Sequence, residues 1–497
     1  MADIPTSDSG ALRICAIASE CAPFAKTGGL ADVAAALTKY LHAQGHDVRL
    51  FMPLYAAIER GRFALTPLGG LSNLGIGIGP HRYQYSVYSA TLPGTPAPVF
   101  LIDCPPLYAR AAIYSTAPDE HLRFLALTRI ALECCQHLGW SPQLLHCHDW
   151  HAALGPLLLR TLYSWDRLFA QTRTVLTIHN IGYQGEFGAA AVGDLALGEN
   201  GYLLHQDDLR AGRINPLKHG CMYADAITTV SPTYAAEIRT PEYGMGLEQV
   251  LRDRGASLVG ILNGVDYDEW DPRVDRHIGA HYDAATLEVK AALKQQFLAR
   301  MGLKAGPNTA LAGMVSRLAA QKGIDLVLAA LPGLLARRDL TLVALGAGDA
   351  PYEAGMRELA ATFPGRVAFQ QGYDEALAHW IEAASDLFLM PSHYEPCGLN
   401  QMYSLRYGTV PVVRRTGGLA DSVERYDPAR GTGTGVLFDP YTAEALTGAI
   451  EAALDLHAQP AHWQRMVRNG MARDFSWTRQ GAQYVALFER MLQPGRG

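Results

Sequence analysis

Two seven-residue segments combine a basic residue with a glycine pair, as anion-binding loops do. Lys26–Asp32 reads KTGGLAD and Arg415–Asp421 reads RTGGLAD; each follows a strand pattern and opens a helical one. Glycine lets backbone amides approach an anion closely, and the amino end of a helix adds a favourable dipole. A single copy would fit an ordinary tight turn equally well. Its recurrence in both halves favours two loops that bind one phosphorylated substrate.

A second basic group follows the apolar segment Ala310–Val315, which has the pattern of a buried strand. Arg317 and Lys322 lie just after it, at the strand end where ligands bind in open α/β sheets. Arginine offers a planar fork and lysine a point charge, a pair suited to a diphosphate leaving group. The alternative is a solvated turn that carries two surface cations.

An acidic residue follows another strand pattern in the second half. Glu395 lies within Pro391–Leu399 (PSHYEPCGL), directly after the apolar run Asp386–Met390. A carboxylate there can accept hydrogen bonds from sugar hydroxyls, or it can simply cap the following helix. Cys397 is interpreted as a packing residue at the helix start and not as a nucleophile.

Histidines and an aspartate mark two strand ends in the first half. His146–His151 reads HCHDWH, and Thr177–Asn180 contains His179. The first cluster resembles a metal site, but adjacent side chains at a strand end diverge, so polar groups such as Asp149 presented to a ligand are the better interpretation. A lone histidine such as His179 is also commonly just a hydrogen-bonded structural residue.

Short β-branched runs alternate with helical patterns along the whole chain, which predicts an α/β protein with parallel sheets. Predicted strands are Leu12–Ala18, Asp47–Met52, Pro98–Ile102, Gln143–Cys147, Thr174–Ile178, Ala226–Val230, Ala310–Val315, Leu340–Leu345, Arg366–Gln370, Asp386–Met390 and Val410–Val413. Predicted helices include Leu30–Ala43, Leu122–Leu138, His151–Leu162, Glu288–Met301, Ile324–Leu335, Tyr352–Phe363, Asn400–Tyr407 and Trp477–Met491. The turn-rich segment Leu262–Pro272 predicts a boundary near Gly264, between domains 1–263 and 264–497. The last helix has no strand after it and is expected to pack back on the first domain.

Composition limits the partners and the compartment. The 497 residues carry a net charge of −6, which disfavours nucleic-acid binding because that needs a basic face. No apolar run approaches the roughly 20 residues that span a bilayer, so no membrane partner is expected. The eight cysteines form no CxxC pair. Together with the polar start MADIPTSDSG, which predicts no signal or transit peptide, they indicate a cytoplasmic protein with reduced thiols.

Taken together and in order, these motifs resemble those of bacterial glycogen and starch synthases. The resemblance extends from about residue 12 to residue 480 and rests on KTGGLADV, HDWHA, IHNIGYQG, YADAITTVSPTYAAEI, LNGVD, VSRLAAQKG, LGAGD, PSHYEPCGL and RTGGLADSV. Most of these motifs are weak alone. KTGGLAD, EPCGL and RTGGLAD in this order are highly specific.

The resemblance implies the GT-B fold, with two Rossmann-like domains facing across a deep cleft. It implies glucosyl transfer from ADP-glucose to glycogen or a maltooligosaccharide, with retention of configuration, release of ADP, and neither metal nor cofactor. The residues that it places in catalysis are Glu395, Lys322, Arg317, His179 and Asp149. Those that it places in substrate binding are Lys26, Gly28, Gly29, Asp32, Asn263, Tyr373, Cys397, Thr416, Gly417 and Gly418.

The sequence departs from the family pattern at one motif and leaves two alternative functions open. The family usually reads PSRFEPCGL, whereas His393 and Tyr394 stand here in place of Arg and Phe, which removes a permanent charge. The chain could instead be another GT-B glycosyltransferase, such as a sucrose-synthase-like enzyme or a mannosyltransferase. It could also be a non-catalytic glucan-binding protein, which the joint presence of Lys26, Arg317, Lys322 and Glu395 disfavours.

Overall fold

The structure is a computed structural model that describes residues 10–306 and 308–493. The chain divides into two compact units. The first comprises the chain up to Val230, Ala235–Gly264 and the segment from Trp477 onward; the second comprises Ser231–Tyr234 and Val265–Ser476. The first unit therefore contains the last helix, although that helix follows residue 264. The sequence predicts no signal or transit peptide in MADIPTSDSG. Residues 1–9 of that segment lie outside the described part of the chain.

The first unit is built on a ten-stranded sheet, with order β12-β11-β8-β7-β1-β2-β6-β5-β3 and β4 paired to β5. Its strands, together with the small β9–β10 pair, are β1 Arg13–Ile17, β2 Asp47–Pro53, β3 Thr66–Pro67, β4 Leu74–Ile78, β5 His81–Thr91, β6 Pro98–Asp103, β7 Leu144–His148, β8 Arg173–Ile178, β9 Phe187–Gly188, β10 Arg213–Ile214, β11 Ala226–Thr229 and β12 Leu258–Gly260. The pairs from β12 to β6 are parallel, whereas β5 pairs antiparallel with β6, β3 and β4. This antiparallel extension was absent from the sequence prediction.

The second unit has a six-stranded parallel sheet, with order β15-β14-β13-β16-β17-β18. Its strands are β13 Ala310–Val315, β14 Leu340–Gly346, β15 Val367–Gln371, β16 Leu387–Met390, β17 Val410–Arg414 and β18 Val436–Phe438. Alternate residues of β14 belong to two hydrophobic clusters, Leu340 and Leu342 to one and Val343 and Leu345 to the other. Successive side chains of a strand point to opposite faces, so helices cover both faces of this sheet.

Eighteen α-helices lie within the described residues of the two units. They are α1 Gly29–Ala43, α2 Pro105–Tyr108, α3 Glu120–His137, α4 Asp149–Ala152, α5 Gly155–Arg160, α6 Gln206–Arg210, α7 Pro216–Tyr223, α8 Pro232–Glu237, α9 Glu248–Asp253, α10 Leu287–Arg300, α11 Ile324–Arg337, α12 Ala350–Thr362, α13 Glu375–Ala384, α14 Asn400–Tyr407, α15 Gly417–Ser422, α16 Ala443–His457, α17 Pro460–Met471 and α18 Trp477–Leu492. None of them is long and apolar enough to span a bilayer. The predicted helix 151–162 is wrong in detail, because the chain turns between α4 and α5.

Helix α18 packs on α1 in the first unit. Tyr484 and Phe488 share a buried cluster with Ile14 and Leu37. A Cβ atom on Gly481 would lie 2.3 Å from the ring of Tyr40, so the two helices approach closely. Glycine at this position permits that approach because any side chain would collide with the tyrosine ring.

Candidate active site

The carboxyl ends of β13 and β16 carry an ion pair in the second unit. These strands are parallel neighbours, so the loops that follow them emerge at the same edge of the sheet. Lys322 Nζ lies 2.6 Å from Glu395 Oε2, and Ser392 Oγ donates to the same oxygen at 3.0 Å. Glu395 is 4% exposed, so its charge is held by a cation and a hydroxyl within the protein.

The two loops that bear this pair are held together by two hydrogen bonds and by close packing. His393 N donates to Gln321 O at 2.9 Å, and Gln321 Nε2 donates to Tyr394 O at 3.3 Å. Gly323 has a φ of +70°, and a Cβ there would lie 2.1 Å from the carbonyl oxygen of Pro391. These contacts fix the spacing between the two sides of the ion pair, so Lys322 and Glu395 are positioned before any substrate binds.

The second glycine-pair loop packs directly beneath the backbone of Glu395. Gly417 has a φ of +42°, and a Cβ on it would lie 1.9 Å from the carbonyl oxygen of Glu395. A Cβ on Gly418 would lie 2.1 Å from the carbonyl oxygen of Cys397, and Gly418 N donates to Glu395 O at 3.1 Å. The RTGG segment thus supports the Glu395 loop, and the Gly418 amide already donates a hydrogen bond within the protein. Thr416, just before it, is buried.

The remaining predicted residues of the second unit lie around this group at different strand ends. Arg317 is exposed and donates to Gln321 Oε1 at 3.3 Å, which links it to the Lys322 loop. Tyr373 follows β15, two strands from β13, and is 69% exposed. Cys397 is buried behind Glu395, as expected for a packing residue. His393, the departure from the family pattern, is exposed and meets the ring of Tyr441 at a centroid distance of 4.7 Å.

The first glycine-pair loop, in the first unit, is organised by a buried carboxylate that the sequence analysis missed. Glu20 follows β1 and is 2% exposed. Its carboxylate accepts hydrogen bonds from Thr27 N, Thr27 Oγ1 and Tyr114 OH, with Gly28 N at 3.4 Å. Lys26 Nζ in the same loop lies 2.8 Å from Asp32 Oδ1. A serine-glutamate pair between a strand and a glycine loop was the available sequence signal.

Gly28 differs from Gly417 in why it is a glycine. Its φ of −158° is extended backbone that any residue adopts, and a Cβ there would meet no heavy atom within 4 Å. The protein itself therefore does not require glycine at this position. A ligand that approaches the backbone closely would supply the reason that the folded chain lacks.

The ends of β7 and β8, which are parallel neighbours, bring Asp149 and His179 together. Asp149 Oδ1 accepts hydrogen bonds from His179 N at 2.7 Å and Asn180 N at 3.4 Å. His148 Nδ1 and His179 Nε2 lie 2.9 Å apart, so one ring donates to the other. Asp149 has a φ of +54°, a strained conformation for a residue other than glycine.

Burial sets the protonation of this group. It raises the pKa of Asp149 to about 7, partly offset by the two backbone amides that donate to its carboxylate. It lowers the pKa of His148 to about 3 and that of His179 well below its ordinary value. The imidazoles are therefore neutral hydrogen-bonding groups near pH 7, and the Asp149 carboxyl is poised between its two protonation states. Shifted values of this kind are common at functional sites.

Asn263 lies after β12, the strand next to β11 at one edge of the first sheet. The side chain is 5% exposed, and its Oδ1 has no hydrogen-bond partner among the described residues. A buried amide oxygen without a partner is costly unless something else donates to it. Asn263 is therefore equipped to accept a hydrogen bond from a ligand.

Comparison with known proteins agrees with this arrangement. Residues 13–253 match the family model described as the starch synthase catalytic domain, and residues 299–470 match that of glycosyl transferases group 1. Glycogen synthase of Koribacter versatilis is 45% identical over 490 residues, which covers 97% of this chain and 99% of that protein.

Two solved structures resemble the chain in three dimensions. The catalytic domain of starch synthase IV from Arabidopsis thaliana, bound to ADP and acarbose, superposes with a TM-score of 0.90 at 34% identity, covering 97% of this chain and 100% of that one. Sucrose-phosphate synthase from Thermosynechococcus elongatus gives a TM-score of 0.61 at 19% identity over 97% and 99%, a likeness of fold alone.

Two α/β units, each with parallel strands that lead into basic and glycine-rich loops, define a glycosyltransferase of the GT-B fold. Within that class, the chain belongs to the glycogen synthase family. The predicted fold class and family are both confirmed.

Proposed function

We propose that this protein transfers the glucosyl group of ADP-glucose to the non-reducing end of an α-1,4-glucan, with retention of configuration and release of ADP, in glycogen biosynthesis. The observation that carries this proposal is the Lys322–Glu395 pair, a cation and a buried carboxylate held 2.6 Å apart at adjacent strand ends. ADP and acarbose in the related Arabidopsis starch synthase structure support a nucleotide donor and a glucan acceptor.

The leaving diphosphate would be stabilised by two side-chain cations of the second unit. Arg317 precedes the short turn Ala320–Lys322 and Lys322 ends it, so both residues come before α11. Positive charges placed where negative charge develops lower the barrier most when they are fixed in advance. The loop that contains Thr416, Gly417 and Gly418 would assist; within the protein, Thr416 N donates to Arg414 O and Gly418 N donates to Glu395 O. With two cations in this role, the proposal needs neither metal nor cofactor.

The donor sugar and base would engage other groups of the same unit. Glu395 would accept hydrogen bonds from glucose hydroxyls, with its second oxygen available beside the Lys322 contact and Cys397 packed behind it. The exposed ring of Tyr373 at the end of β15 would stack on the adenine.

The first unit would contribute the groups next to the reacting sugar. Lys26, Gly28 and Gly29 would contact the phosphates and glucose, with Asp32 holding the lysine. His179 and Asp149 would hydrogen-bond the transferring glucose and the acceptor. Asn263 would offer the donor its amide oxygen, which has no hydrogen-bond partner in the part of the chain that the structure describes. His179, Asp149 and Asn263 are buried, and the low local dielectric strengthens their polar contacts.

The proposed chemistry is a front-face displacement. The acceptor 4-hydroxyl bonds to the anomeric carbon on the side from which ADP departs, through an oxocarbenium-like transition state. The bond to the phosphate oxygen breaks, and the hydroxyl proton passes to that departing oxygen, so charge and atoms balance. Rate enhancement then comes from holding the reactants together and from stabilising the phosphate charge.

The proposed cellular compartment of the reaction is the cytoplasm. All eight cysteines are free and buried, which suits a compartment where thiols stay reduced.

Donor choice separates this proposal from other GT-B activities. Purified protein should elongate maltoheptaose when ADP-glucose is the donor. With UDP-glucose, sucrose or GDP-mannose as the donor, elongation should be at least about tenfold slower. The measurement is initial rate by chromatography of the products. Equal or faster elongation with UDP-glucose would overturn the assigned donor, and binding of maltoheptaose without any transfer would favour a glucan-binding protein.

A further inference from the structure

Two histidines and a glutamate converge in the second unit, among residues that the proposed reaction does not use. One potential ligand atom from each of His277, Glu375 and His379 lies within 4.8 Å of the other two. Glu375 and His379 are four residues apart on α13, so they share one face of that helix. His277 comes from the segment that precedes α10. Three ligand-type side chains thus meet from two separate elements.

His379 has the surroundings of a metal-binding histidine. The side chain is fully buried, and its Nδ1 lies 2.8 Å from Asp275 Oδ2, which also accepts a hydrogen bond from Tyr407 OH. A carboxylate that accepts the Nδ1 proton leaves the lone pair on Nε2, and this arrangement orients ligating imidazoles in metalloproteins. The Nε2 atom of His379 has no hydrogen-bond partner among the described residues. A buried nitrogen of this kind calls for an explanation.

Ring packing explains only part of this arrangement. Trp270 stacks on His379 with centroids 3.7 Å apart, and the His277 ring lies 4.5 Å from the His379 ring. The His277 ring also receives a long 3.4 Å contact from Arg276 Nε. Stacking accounts for where the His379 ring lies. It satisfies neither the Nε2 atom nor the exposed Glu375 carboxylate that comes within reach of both imidazoles.

We propose that His277, Glu375 and His379 bind one divalent transition-metal ion of the zinc type. Two imidazoles and one carboxylate are the ligands of Zn²⁺ and Co²⁺, whereas Mg²⁺ and Ca²⁺ take oxygen ligands. Water completes a four-coordinate site. The ion ties the segment before α10 to the first two turns of α13, so its role is to stabilise the second unit.

Metal titration of the full-length chain tests this site. Chelator-treated protein is titrated with Zn²⁺ by calorimetry and with Co²⁺ by visible absorption. The expected result is one equivalent bound, a tetrahedral Co²⁺ spectrum, a higher melting temperature with Zn²⁺, and no equivalent response to Mg²⁺. His277→Ala and Glu375→Gln, both outside the buried core, should weaken binding by at least about tenfold and abolish the temperature shift.

Two matched variants control for surface ligands elsewhere. His137→Ala removes an exposed histidine at the end of α3, and Glu444→Gln removes an exposed glutamate in the first turn of α16. Both should bind Zn²⁺ as the unaltered chain does. The proposal is overturned if no equivalent of Zn²⁺ binds at micromolar concentration, or if His277→Ala and Glu375→Gln bind it like the controls. His379→Ala is avoided because its ring is packed under Trp270.

Discussion

Replacing Lys322 by methionine should lower kcat by about 100-fold or more, because removing one fixed electrostatic group of a transition state costs about 10²–10³ in rate. The ammonium group is held 2.6 Å from Glu395 and at the turn that precedes α11, where the leaving diphosphate is proposed to lie. Glu395→Gln keeps the size of the side chain and its contact with Ser392, and should give a loss of similar magnitude. Steady-state kinetics with ADP-glucose and maltoheptaose measures both.

Controls must separate catalysis from folding, since Lys322→Met leaves a buried carboxylate without its cation. Circular dichroism and melting temperature identify any variant that fails to fold. Lys304→Ala, an exposed lysine of the same unit, should leave kcat unchanged. Cys397→Ser, beside Glu395, should change kcat only a few-fold because no covalent role is assigned to it. A rise in KM alone, with kcat intact, would make Lys322 and Glu395 ground-state binding residues.

Replacing Gly417 by alanine should destabilise the second unit by about 2–5 kcal/mol and abolish most activity. The backbone there is left-handed, which costs alanine about 1–2 kcal/mol. The added Cβ would also lie 1.9 Å from the carbonyl oxygen of Glu395, so the loop that bears the carboxylate must move. Urea unfolding and transfer kinetics report the two effects separately.

Two other glycines provide matched controls for this variant. Gly431 also has a positive φ, of +67°, but a Cβ added there would lie 3.7 Å from its nearest heavy atom. Gly431→Ala should therefore show backbone strain without a steric clash. Gly28→Ala introduces neither backbone strain nor a clash, so it should alter the free energy of unfolding by less than about 1 kcal/mol. Because Gly28 is proposed to approach the donor, its alanine variant should nevertheless lose activity. Wild-type stability and kcat in Gly417→Ala would refute the supporting role of the RTGG loop.

Five of the six strands of the second unit were accessible from sequence because they are buried and regularly spaced, whereas β18 and the helices α13, α16 and α17 were not predicted. Ala310–Val315 and Asn400–Tyr407 have the predicted bounds. The antiparallel strands between residues 66 and 91 were missed because their aromatic and polar residues alternate without the apolar runs of buried parallel strands. The break between α4 and α5 was missed because that stretch has a continuous helical pattern.

Candidate site residues could be predicted from sequence where they come directly after a strand pattern. Contacts between residues far apart in the sequence could not. Lys322 and Glu395 both follow strand patterns, but their 2.6 Å approach across 73 residues comes from the pairing of β13 with β16. Glu20 and Tyr114 are 94 residues apart, and their hydrogen bond is visible only in the folded chain. The metal-type cluster of His277 with α13 is hidden for the same reason.

Retaining glucosyl transfer by this chain can be tested by identifying the product. Purified protein is incubated with ADP-[1-¹³C]glucose and maltoheptaose, and the product is followed by ¹³C NMR. We expect one new labelled signal, that of an α-1,4-linked glucose at the non-reducing end, with ADP released in equal amount. A β-linked product, or labelled free glucose without chain elongation, would contradict it.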